Sequence, residues 1–294
     1  MSRRVVLVGS NGQLAHDLVQ AWAEVHPGDE LVGLTHAQVE VADLDSVRTA
    51  LRPLRPQVVV NTAAYHKVDV VEGDPSRAFA VNATGPMNLA LVCRELDAVL
   101  IHLSSDYVFS GSLKRPHREQ DPVDPVNVYG VSKAAGEMLV RYLWPRHHVV
   151  RSSGLYGVAG SSGKGGNFVE LMLRLAGEGK PIRVVDDQVL TPTSTRALAR
   201  QLVTLVDSGR FGLYHATCQG ECSWYRFTQE ILRQSGVAAS LQPQTTEESG
   251  AAAKRPRYSV LDNHNLRQLG LDRMPAWQDA LAAYLAERKA AAAA

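Results

Sequence analysis

The sequence of 294 residues predicts an α/β fold, with a doubly wound parallel sheet and a smaller C-terminal lobe. Short valine-rich runs, typical of strands buried on both faces, alternate with segments of helical periodicity through the first half of the chain. This order favours a parallel sheet with helices on both faces. After about Ser152 the alternation weakens, so we expect residues 1–152 to form the sheet domain and 153–289 mainly the lobe, with some segments returning to the sheet. Residues 290–294 are alanine-rich and are expected to be a frayed tail.

The elements of the sheet domain follow from the positions of apolar residues. Strands are expected at Arg4–Val8, Glu30–Leu34, Val58–Asn61 and 99–103. A helix is expected over Gln13–Val25, where apolar side chains recur at a spacing near 3.6 residues. Further helices are expected at 45–51, capped by Asp45 or Ser46, from Pro75 toward Cys93, and at 167–176.

Composition and charge exclude several classes of protein. A formal net charge of +1 favours neither nucleic acid nor an anionic membrane as a partner. The apolar run after Arg4 is only as long as a strand, which is too short for a signal peptide or a membrane span. The cysteines, Cys93, Cys218 and Cys222, are odd in number and irregular in spacing, so we expect neither a disulfide framework nor a metal site. These features are typical of a cytoplasmic protein.

A glycine turn joins the first strand to the first helix. Gly9 and Gly12 lack a Cβ, so the backbone can turn tightly and a pyrophosphate can approach the amide groups at the start of the helix. Where the usual Rossmann-type fingerprint has a third glycine, this chain has Ala15, which is small enough for close helix–strand packing. Two glycines in a plain turn are the alternative, but the flanking strand and helix favour a dinucleotide-binding domain.

The end of the second strand bears on cofactor selectivity. The segment Gly33-Leu34-Thr35-His36 contains no acid for a ribose 2′-hydroxyl and no arginine for a 2′-phosphate. Strict use of NAD is therefore not favoured, and NADPH or the use of both cofactors is expected. Asp43 and Leu44 lie at the start of the next helix, where Asp43 either lies beside the adenine or caps the helix.

Tyr129 and Lys133 are the candidate catalytic pair. Four residues apart, they share one face of a helix. A phenol titrates near ~10, and a lysine cation one turn away favours the phenolate and brings its pKa toward neutral pH. A solvated helix face is the alternative, but the pair follows four strand–helix units. Ser105, at the end of a buried strand, is a candidate donor to a substrate carbonyl; alternatively, Ser104 and Ser105 only end the strand.

These segments together resemble extended short-chain dehydrogenases/reductases, and more narrowly the dTDP-4-dehydrorhamnose reductase family. The resemblance runs nearly end to end. It is carried by Gly9-Ser10-Asn11-Gly12-Gln13-Leu14, Asn61-Thr62-Ala63-Ala64-Tyr65, Ser104-Ser105-Asp106-Tyr107-Val108-Phe109, Tyr129-Gly130-Val131-Ser132-Lys133, Thr191-Pro192-Thr193, Ser223-Trp224-Tyr225 and Arg255-Pro256.

The resemblance implies reduction, with NADPH or NADH, of the C4 ketone of a dTDP-linked 6-deoxy-4-ketohexose, giving dTDP-L-rhamnose in the type reaction. It implies that Tyr129 donates the proton with Lys133 as its partner, and it makes a homodimer one possible assembly. Cofactor contacts are implied for Gly9, Asn11, Gly12, Gln13, Leu14, Asp43, Leu44, Ala63, Ala64, Tyr65, Tyr129 and Lys133. Contacts to the nucleotide sugar are implied for Val68, Ser105, Asp106, Tyr107 and Tyr129.

Three positions depart from the family pattern. Ser105 replaces the usual threonine but keeps the hydroxyl, and Ala15 replaces the third glycine. Gly154 stands where many members carry a tryptophan that packs on the sugar, so the identity of the sugar is open. Tyr107 takes the place of a glutamate found in related dehydratases, which argues against dehydration. Two other functions stay open: an NADP-binding regulatory subunit of a partner enzyme, and an epimerase that retains its cofactor.

Overall fold

A computed structural model describes residues 2–159 and 166–293 of the chain. Its strands are β1 (Arg4–Val8), β2 (Glu30–Leu34), β3 (Val58–Asn61), β4 (Val99–Ser105), β5 (His147–Ser152), β6 (Leu155–Tyr156), β7 (Ile182–Val185), β8 (Val189–Leu190), β9 (Thr193–Ser194), β10 (Gly212–His215), β11 (Cys222–Ser223) and β12 (Leu241–Gln244). Its α-helices are α1 (Gln13–Val25), α2 (Leu44–Leu51), α3 (Val68–Glu72), α4 (Pro75–Phe79), α5 (Gly85–Leu96), α6 (Val128–Leu143), α7 (Phe168–Gly177), α8 (Thr195–Ser208), α9 (Trp224–Ser235), α10 (His264–Gln268) and α11 (Trp277–Ala293). A π-helical turn, Ala80–Thr84, joins α4 to α5, and a 3₁₀ turn, Asp106–Val108, follows β4.

Six parallel strands form the central sheet, in the order β10-β5-β4-β3-β1-β2. Side chains alternate across it, as the pleat of a strand requires. Val5 and Leu7 of β1 join the apolar cluster that contains α1 and α8, whereas Val6 and Val8 join the cluster that contains α2, α5 and α6. Helices therefore cover both faces, and the predicted doubly wound α/β fold class is confirmed.

The expected bounds of β1, α1, β2 and β3 are confirmed, while those of other elements differ. β4 continues to Ser105, and the helix that Pro75 opens is interrupted by the π-helical turn. The cap of α2 is Asp43, whose carboxylate accepts the backbone amides of Asp45 and Ser46 at 2.9 and 3.3 Å. The expectation that Asp45 or Ser46 caps this helix is wrong, because both residues supply amides to the cap instead.

A buried ion pair fixes α6 to the sheet. The guanidinium of Arg151 on β5 donates to both carboxylate oxygens of Glu137 on α6, at 2.6 Å for the shortest contact. Both side chains are only 2% exposed, so their charges compensate each other rather than being hydrated. This pair sets the position of the helix that also carries Tyr129 and Lys133.

The second half of the chain contributes to both the sheet and the lobe. β10 extends the sheet beside β5, with Tyr214 paired to Val150, and α8 packs on α1. The lobe contains α7, α9 and α11 together with the two-stranded sheets β7–β12 and β8–β11, and it has an apolar core of its own. The chain thus leaves the sheet after β5, returns with α8 and β10, leaves it again, and returns once more with α10, whose Leu266 joins the apolar cluster that contains α1 and α8.

The carboxyl-terminal helix α11 continues to Ala293. It therefore includes residues 290–293 of the segment expected to be a frayed tail, whereas Ala294 lies outside the described residues. Residues 160–165 of the predicted lobe also lie outside them. Within the described ranges, no helix has both the length and the apolar character needed to cross a membrane.

Candidate active site

A cavity of about 1150 Å³ lies at the carboxyl edge of the central sheet, beneath the lobe. Parallel α/β sheets bind their ligands at this edge. Most of the predicted site residues line it: Gly9, Asn11, Gly12, Gln13, Leu14, Ala63, Ala64, Tyr65, Val68, Ser105, Asp106, Tyr107, Tyr129 and Lys133.

Asp43 and Leu44 are the two predicted cofactor contacts that the structure does not bring to the cavity. Neither is among the lining residues of the described chain. The carboxylate of Asp43 caps α2, which is the alternative role that the sequence allows for it. Leu44 packs against the apolar cluster on one face of the sheet, because the first turn of α2 points it there.

The turn between β1 and α1 is shaped to hold a pyrophosphate. Gly9 has a φ of +85°, and a Cβ there would lie 2.8 Å from the amide nitrogen of Ala63. Only glycine fits at this position, and the lack of a side chain leaves the backbone of the turn accessible to a ligand. No side chain caps α1 at Gly12, so the amides of its first turn lack partners where Gln13 and Leu14 line the cavity. Free amides and the positive end of a helix dipole fit an anionic dinucleotide.

Beyond β2 the cavity wall contains Thr35, His36 and Glu40. Glu40 is an acid at the expected adenosine end that sequence reasoning missed, because it lies in the loop and not at the strand end. Its carboxylate accepts the amide of Ala42 at 3.0 Å and lies 3.6 Å from the Nδ1 of His36. Since these contacts already engage the carboxylate, Glu40 does not by itself indicate a preference for NAD.

Tyr129 lies in the first turn of α6, in the wall of the cavity. Asn127 caps this helix by accepting the amide of Gly130 at 2.8 Å, which fixes where the helix begins. The phenol and the Ser105 hydroxyl both line the cavity, close enough for the hydroxyl to act on the pKa of the phenol, and the Tyr129 ring meets the ring of Tyr107 edge to face, with centroids 5.7 Å apart. The structure thus brings the hydroxyls of Tyr129 and Ser105 together at the carboxyl end of β4.

Lys133 is buried one turn further along α6. Its ammonium donates to the carbonyl oxygen of Leu103 at 2.6 Å, and burial lowers its pKa to about 8, with Glu137 acting in the opposite direction. Burial raises the pKa of Tyr129 to about 12, although the hydroxyl of Ser105 acts to lower it. The expectation that Lys133 brings this phenol toward neutral pH is wrong for the protein alone. Desolvation of the phenol dominates, and the ammonium is turned toward a strand carbonyl.

Asp106 follows Ser105 and accepts three serine hydroxyls. Ser105 donates to its Oδ1 at 2.9 Å, and Ser153 and Ser259 donate to its Oδ2 at 2.8 and 2.6 Å. Burial raises the pKa of Asp106, and the three hydroxyls act to lower it. Sequence reasoning assigned no role to Ser153 and Ser259, because they lie 47 and 153 residues away from Asp106 and nothing in the sequence indicates that they meet it.

The outer wall of the cavity holds aromatic and cationic side chains to which the sequence assigned no role. Phe168 and Trp224 come from the lobe, with ring centroids 4.4 Å apart, and Arg174 lies on the same side. Elsewhere in the wall, the guanidinium of Arg77 lies over the ring of Tyr65, 4.9 Å from its centroid. Rings and guanidinium groups are suited to a ligand that carries a base and phosphates.

Comparison with known proteins places the chain among its relatives. A family model described as RmlD substrate binding domain matches residues 3–290. The sequence is 39% identical over 285 residues to the dTDP-4-dehydrorhamnose reductase of Streptomyces griseus, covering 95% of this chain and 91% of that protein. The chain belongs to the dTDP-4-dehydrorhamnose reductase family. The resemblance inferred from the motifs is thereby confirmed.

Two further relatives cover the dTDP-4-dehydrorhamnose reductase fold from end to end. The spore coat polysaccharide biosynthesis protein SpsK of Bacillus subtilis is 38% identical over 288 residues, which is 98% of this chain and 99% of that protein. A crystal structure of the reductase from Bacillus anthracis, in complex with NADP, has a TM-score of 0.92 at 34% identity. It covers 98% of this chain and 100% of that chain.

Gly154 is the position at which the resemblance led to the expectation of a tryptophan that packs on the sugar. Its φ is +57°, and a Cβ there would lie 2.8 Å from Cδ1 of Leu190 and 3.2 Å from Cα of Pro192. A side chain at this position would therefore collide with the lobe. Trp224 supplies an aromatic ring elsewhere in the same cavity wall.

Metal binding and thiol chemistry find no support in the part of the chain that the structure describes. There, no three His, Cys, Asp or Glu side chains come together as a possible metal site. Cys93, Cys218 and Cys222 are free and buried, and burial raises the pKa of each thiol. Buried thiols with raised pKa values are poor nucleophiles.

Proposed function

We propose that this protein is an oxidoreductase that uses NADPH or NADH to reduce the C4 ketone of a dTDP-linked 6-deoxy-4-ketohexose. The leading substrate is dTDP-4-dehydro-L-rhamnose, reduced to dTDP-L-rhamnose. The observation that carries the proposal is the pair of hydroxyls of Tyr129 and Ser105, which meet in a cavity that also contains the free amides of α1. The Streptomyces griseus relative is named for the same activity, and the Bacillus anthracis relative binds NADP.

The cofactor, when bound, supplies the hydride. The residues for holding it are those of the uncapped α1 terminus, where Gln13 and Leu14 offer backbone amides to the pyrophosphate and Gly12 lies beside them with its own amide bonded to Gly9. The wall continues through Ala63 and Ala64. The lack of an acid at the end of β2 supports use of NADPH, alone or together with NADH.

The ionisation of the catalytic pair suits proton donation. A pKa of about 12 keeps the phenol of Tyr129 protonated at neutral pH, which is the state that a donor needs. When the ketone oxygen takes this proton, a phenolate remains in a buried site. Lys133, with a pKa of about 8, is mostly protonated at pH 7 and can stabilise that anion from one turn away. The hydroxyl of Ser105 can stabilise the same phenolate oxygen of Tyr129.

The proposal is tested by following oxidation of NADPH and of NADH with dTDP-4-dehydro-L-rhamnose and with other dTDP-4-keto sugars. We expect one product molecule for each cofactor oxidised. Tyr129→Phe removes the proton donor, so turnover is expected to fall by about 10²–10⁴-fold while the Kd for NADPH stays near the parent value. Tyr142→Phe is the matched control, since this tyrosine on the same helix is 87% exposed.

Three results would overturn the proposal. Tyr129→Phe could reduce the ketone at the parent rate, which would remove the proton donor from the mechanism. Turnover of a nucleotide sugar without net loss of NADPH would indicate an epimerase. Absence of reduction with every sugar, together with a stably associated partner enzyme, would indicate a regulatory subunit.

A cytoplasmic location is also proposed, and the three free, buried cysteines support it.

A further inference from the structure

We propose that Asp106 is a positioning residue for Ser105, and that Ser153 and Ser259 hold its carboxylate so that the Ser105 hydroxyl is free to turn toward Tyr129. The inference rests on the proposed function, because the hydroxyl of Ser105 matters only if Tyr129 transfers a proton. It assigns a role to two serines that lie far from the catalytic motif in sequence.

Ser105 has one proton and two groups that compete for it. Its Oγ lies 2.9 Å from Oδ1 of Asp106, and its hydroxyl lies close enough to the phenol of Tyr129 to act on the pKa of that group. The amide of Tyr107 donates to the same Oγ at 3.2 Å and fixes its place. Since a hydroxyl donates only one hydrogen bond, Ser105 donates either to the carboxylate or to the phenol oxygen.

The charge on the Tyr129 oxygen decides between the two positions. While Tyr129 is a phenol, it can donate to Ser105, and Ser105 donates to Asp106. As the ketone is reduced, its oxygen takes the phenolic proton and leaves Tyr129 as a phenolate. The Ser105 hydroxyl then turns to the phenolate, because a hydrogen bond to an anion in a buried site is strong. No covalent bond of Ser105 or Asp106 changes in this step.

Asp106 can release Ser105 only if other donors satisfy its charge. The residue is 3% exposed, so water does not hydrate its carboxylate. Ser153 and Ser259 both donate to Oδ2, which leaves Oδ1 to Ser105 alone among the described side chains. Because the two hydroxyls on Oδ2 remain in place, the carboxylate keeps two donors when the third turns away.

The charged groups around Asp106 do not offer a competing explanation. Tyr107 on the same turn and Tyr129 on α6 are the titratable groups whose pKa its charge raises. Arg255, from the C-terminal segment, reaches Tyr107 and pairs with Asp69 at 2.7 Å, not with Asp106. No ion pair among the described residues includes Asp106, so serine hydroxyls are its principal partners.

The two supporting serines come from different parts of the chain. Ser153 lies between β5 and β6, directly after the sheet strand. Ser259 lies in the segment before α10, and its amide donates to the carbonyl of Val189 on β8 at 2.8 Å. The carboxylate of Asp106, at the end of β4, therefore accepts hydrogen bonds both from a loop that follows β5 and from a segment that is hydrogen-bonded to the lobe.

The test is the pH dependence of ketone reduction by Ser259→Ala. Loss of this hydroxyl leaves Oδ2 with one donor, so ionised Asp106 holds the Ser105 proton more tightly and its own pKa rises; once protonated, Asp106 no longer accepts and positions the Ser105 hydroxyl. We expect kcat to fall about tenfold with little change in KM, and the acidic limb of the pH profile of kcat to move up by about one pH unit, since a hydrogen bond to a charged group is lost. Ser259→Thr, which keeps the hydroxyl, is expected to restore both.

Thr217→Val is the matched structural control. Thr217 is buried, does not line the cavity, and places its hydroxyl 3.5 Å from the carbonyl of Leu261, two residues beyond Ser259. This variant loosens the same segment without touching Asp106. We expect a lower Tm but the parent pH profile. If Thr217→Val moves the acidic limb as far as Ser259→Ala does, the effect is structural and the inference is wrong.

A double-mutant cycle tests the route through Ser105. If Ser259 acts through Asp106 on Ser105, then Ser259→Ala has no further effect on kcat in a Ser105→Ala background. Additive losses would overturn the inference. Its failure is distinct from failure of the proposed function: in the first case the parent reduces the ketone and Tyr129→Phe does not, while the serine variants keep the parent pH profile. In the second, the parent reduces no ketone.

Discussion

Burial of the Lys133 ammonium lowers the stability of the folded protein. Its ammonium is buried beside the carbonyl of Leu103, and burial lowers its pKa from 10.5 to about 8. Because the folded state binds this proton less tightly than the unfolded chain does, the free energy of unfolding is lower at any pH at which the lysine is protonated in both states. The difference between the two pKa values corresponds to about 3 kcal/mol below pH 8, and this penalty disappears as the pH rises toward 10.5.

Lys133→Met is therefore expected to stabilise the protein at neutral pH while it abolishes reduction. Methionine removes the penalty of about 3 kcal/mol but leaves the carbonyl of Leu103 unpaired, which costs about 1 kcal/mol. Urea titration at pH 7 should show a free energy of unfolding about 1–2 kcal/mol above that of the parent, and the gain should shrink between pH 8 and 10. Lys180→Met, on the surface, is the control. A variant less stable than the parent at pH 7 would contradict the expectation.

The identities of the catalytic side chains could be predicted from the sequence, but their ionisation could not. Tyr129, Lys133 and Ser105 stand in short motifs next to recognisable strand ends and helix starts. Their pKa values depend on burial, which the sheet and lobe produce together. For the same reason Ser259 had no local signal, since its carboxylate partner belongs to a strand end 153 residues earlier.

At the scale of elements, the π-helical turn between α4 and α5 joins the cofactor side of the cavity to the catalytic helix. It buries Asn82, whose Oδ1 accepts the amide of Tyr65 at 2.9 Å. The Nδ2 of the same side chain donates to the carbonyl of Tyr65 and to the Oγ of Ser132 on α6. π-Helical turns often occur at functional sites. This turn could not be predicted from the sequence, because Ala80–Thr84 has the composition of an ordinary helix.

Gly136→Ala is expected to separate α6 from this turn. A Cβ at Gly136 would lie 2.2 Å from the backbone oxygen of Asn82, and neither backbone can give way cheaply. Overpacking of this kind should lower the free energy of unfolding by about 2–3 kcal/mol, seen as a lower Tm. Gly177→Ala, at the exposed end of α7 with no atom within 4 Å of its Cβ, is the control and should raise stability by about 0.5 kcal/mol. Equal Tm values for the two variants would refute the expectation.

At the scale of the whole molecule, the sheet is not complete at residue 152. The face of the sheet covered by α1 is also covered by residues that follow the first excursion into the lobe: Leu198, Ala199, Leu202, Val203, Leu205, Tyr214 and Ala216. A fragment of residues 1–152 would expose this apolar surface and leave β5 as an unpaired edge. The helices and strands within the fragment would not cover this apolar surface.

We expect the fragment 1–152 to lack a cooperative thermal transition and to bind a hydrophobic dye, whereas the full chain unfolds cooperatively. Circular dichroism during heating and dye fluorescence at 25 °C measure this, with the full chain as the reference. A sharp transition in the fragment, at a Tm near that of the full chain, would show that the sheet domain folds without α8 and β10.

The α/β architecture could be predicted because the first half of the chain repeats one pattern of buried strand and amphipathic helix. The return of β10 could not be placed, since Gly212–His215 reads Gly-Leu-Tyr-His and has neither a valine-rich run nor clear alternation. Its place in the sheet depends on β5, which lies earlier in the chain: Tyr214 pairs with Val150, 64 residues before it. The composition of the segment itself does not indicate which strand it pairs with.

The repeated crossing of the chain between sheet and lobe has a practical consequence for enzyme engineering. A lobe that is joined by a single linker can be exchanged with that of a relative through one splice. Here, one splice after β5 would also exchange α8 and β10, which belong to the sheet. A chimera with a new sugar preference must therefore be assembled from separate grafts on either side of residues 195–215, leaving those residues native together with Ser259 and Leu266.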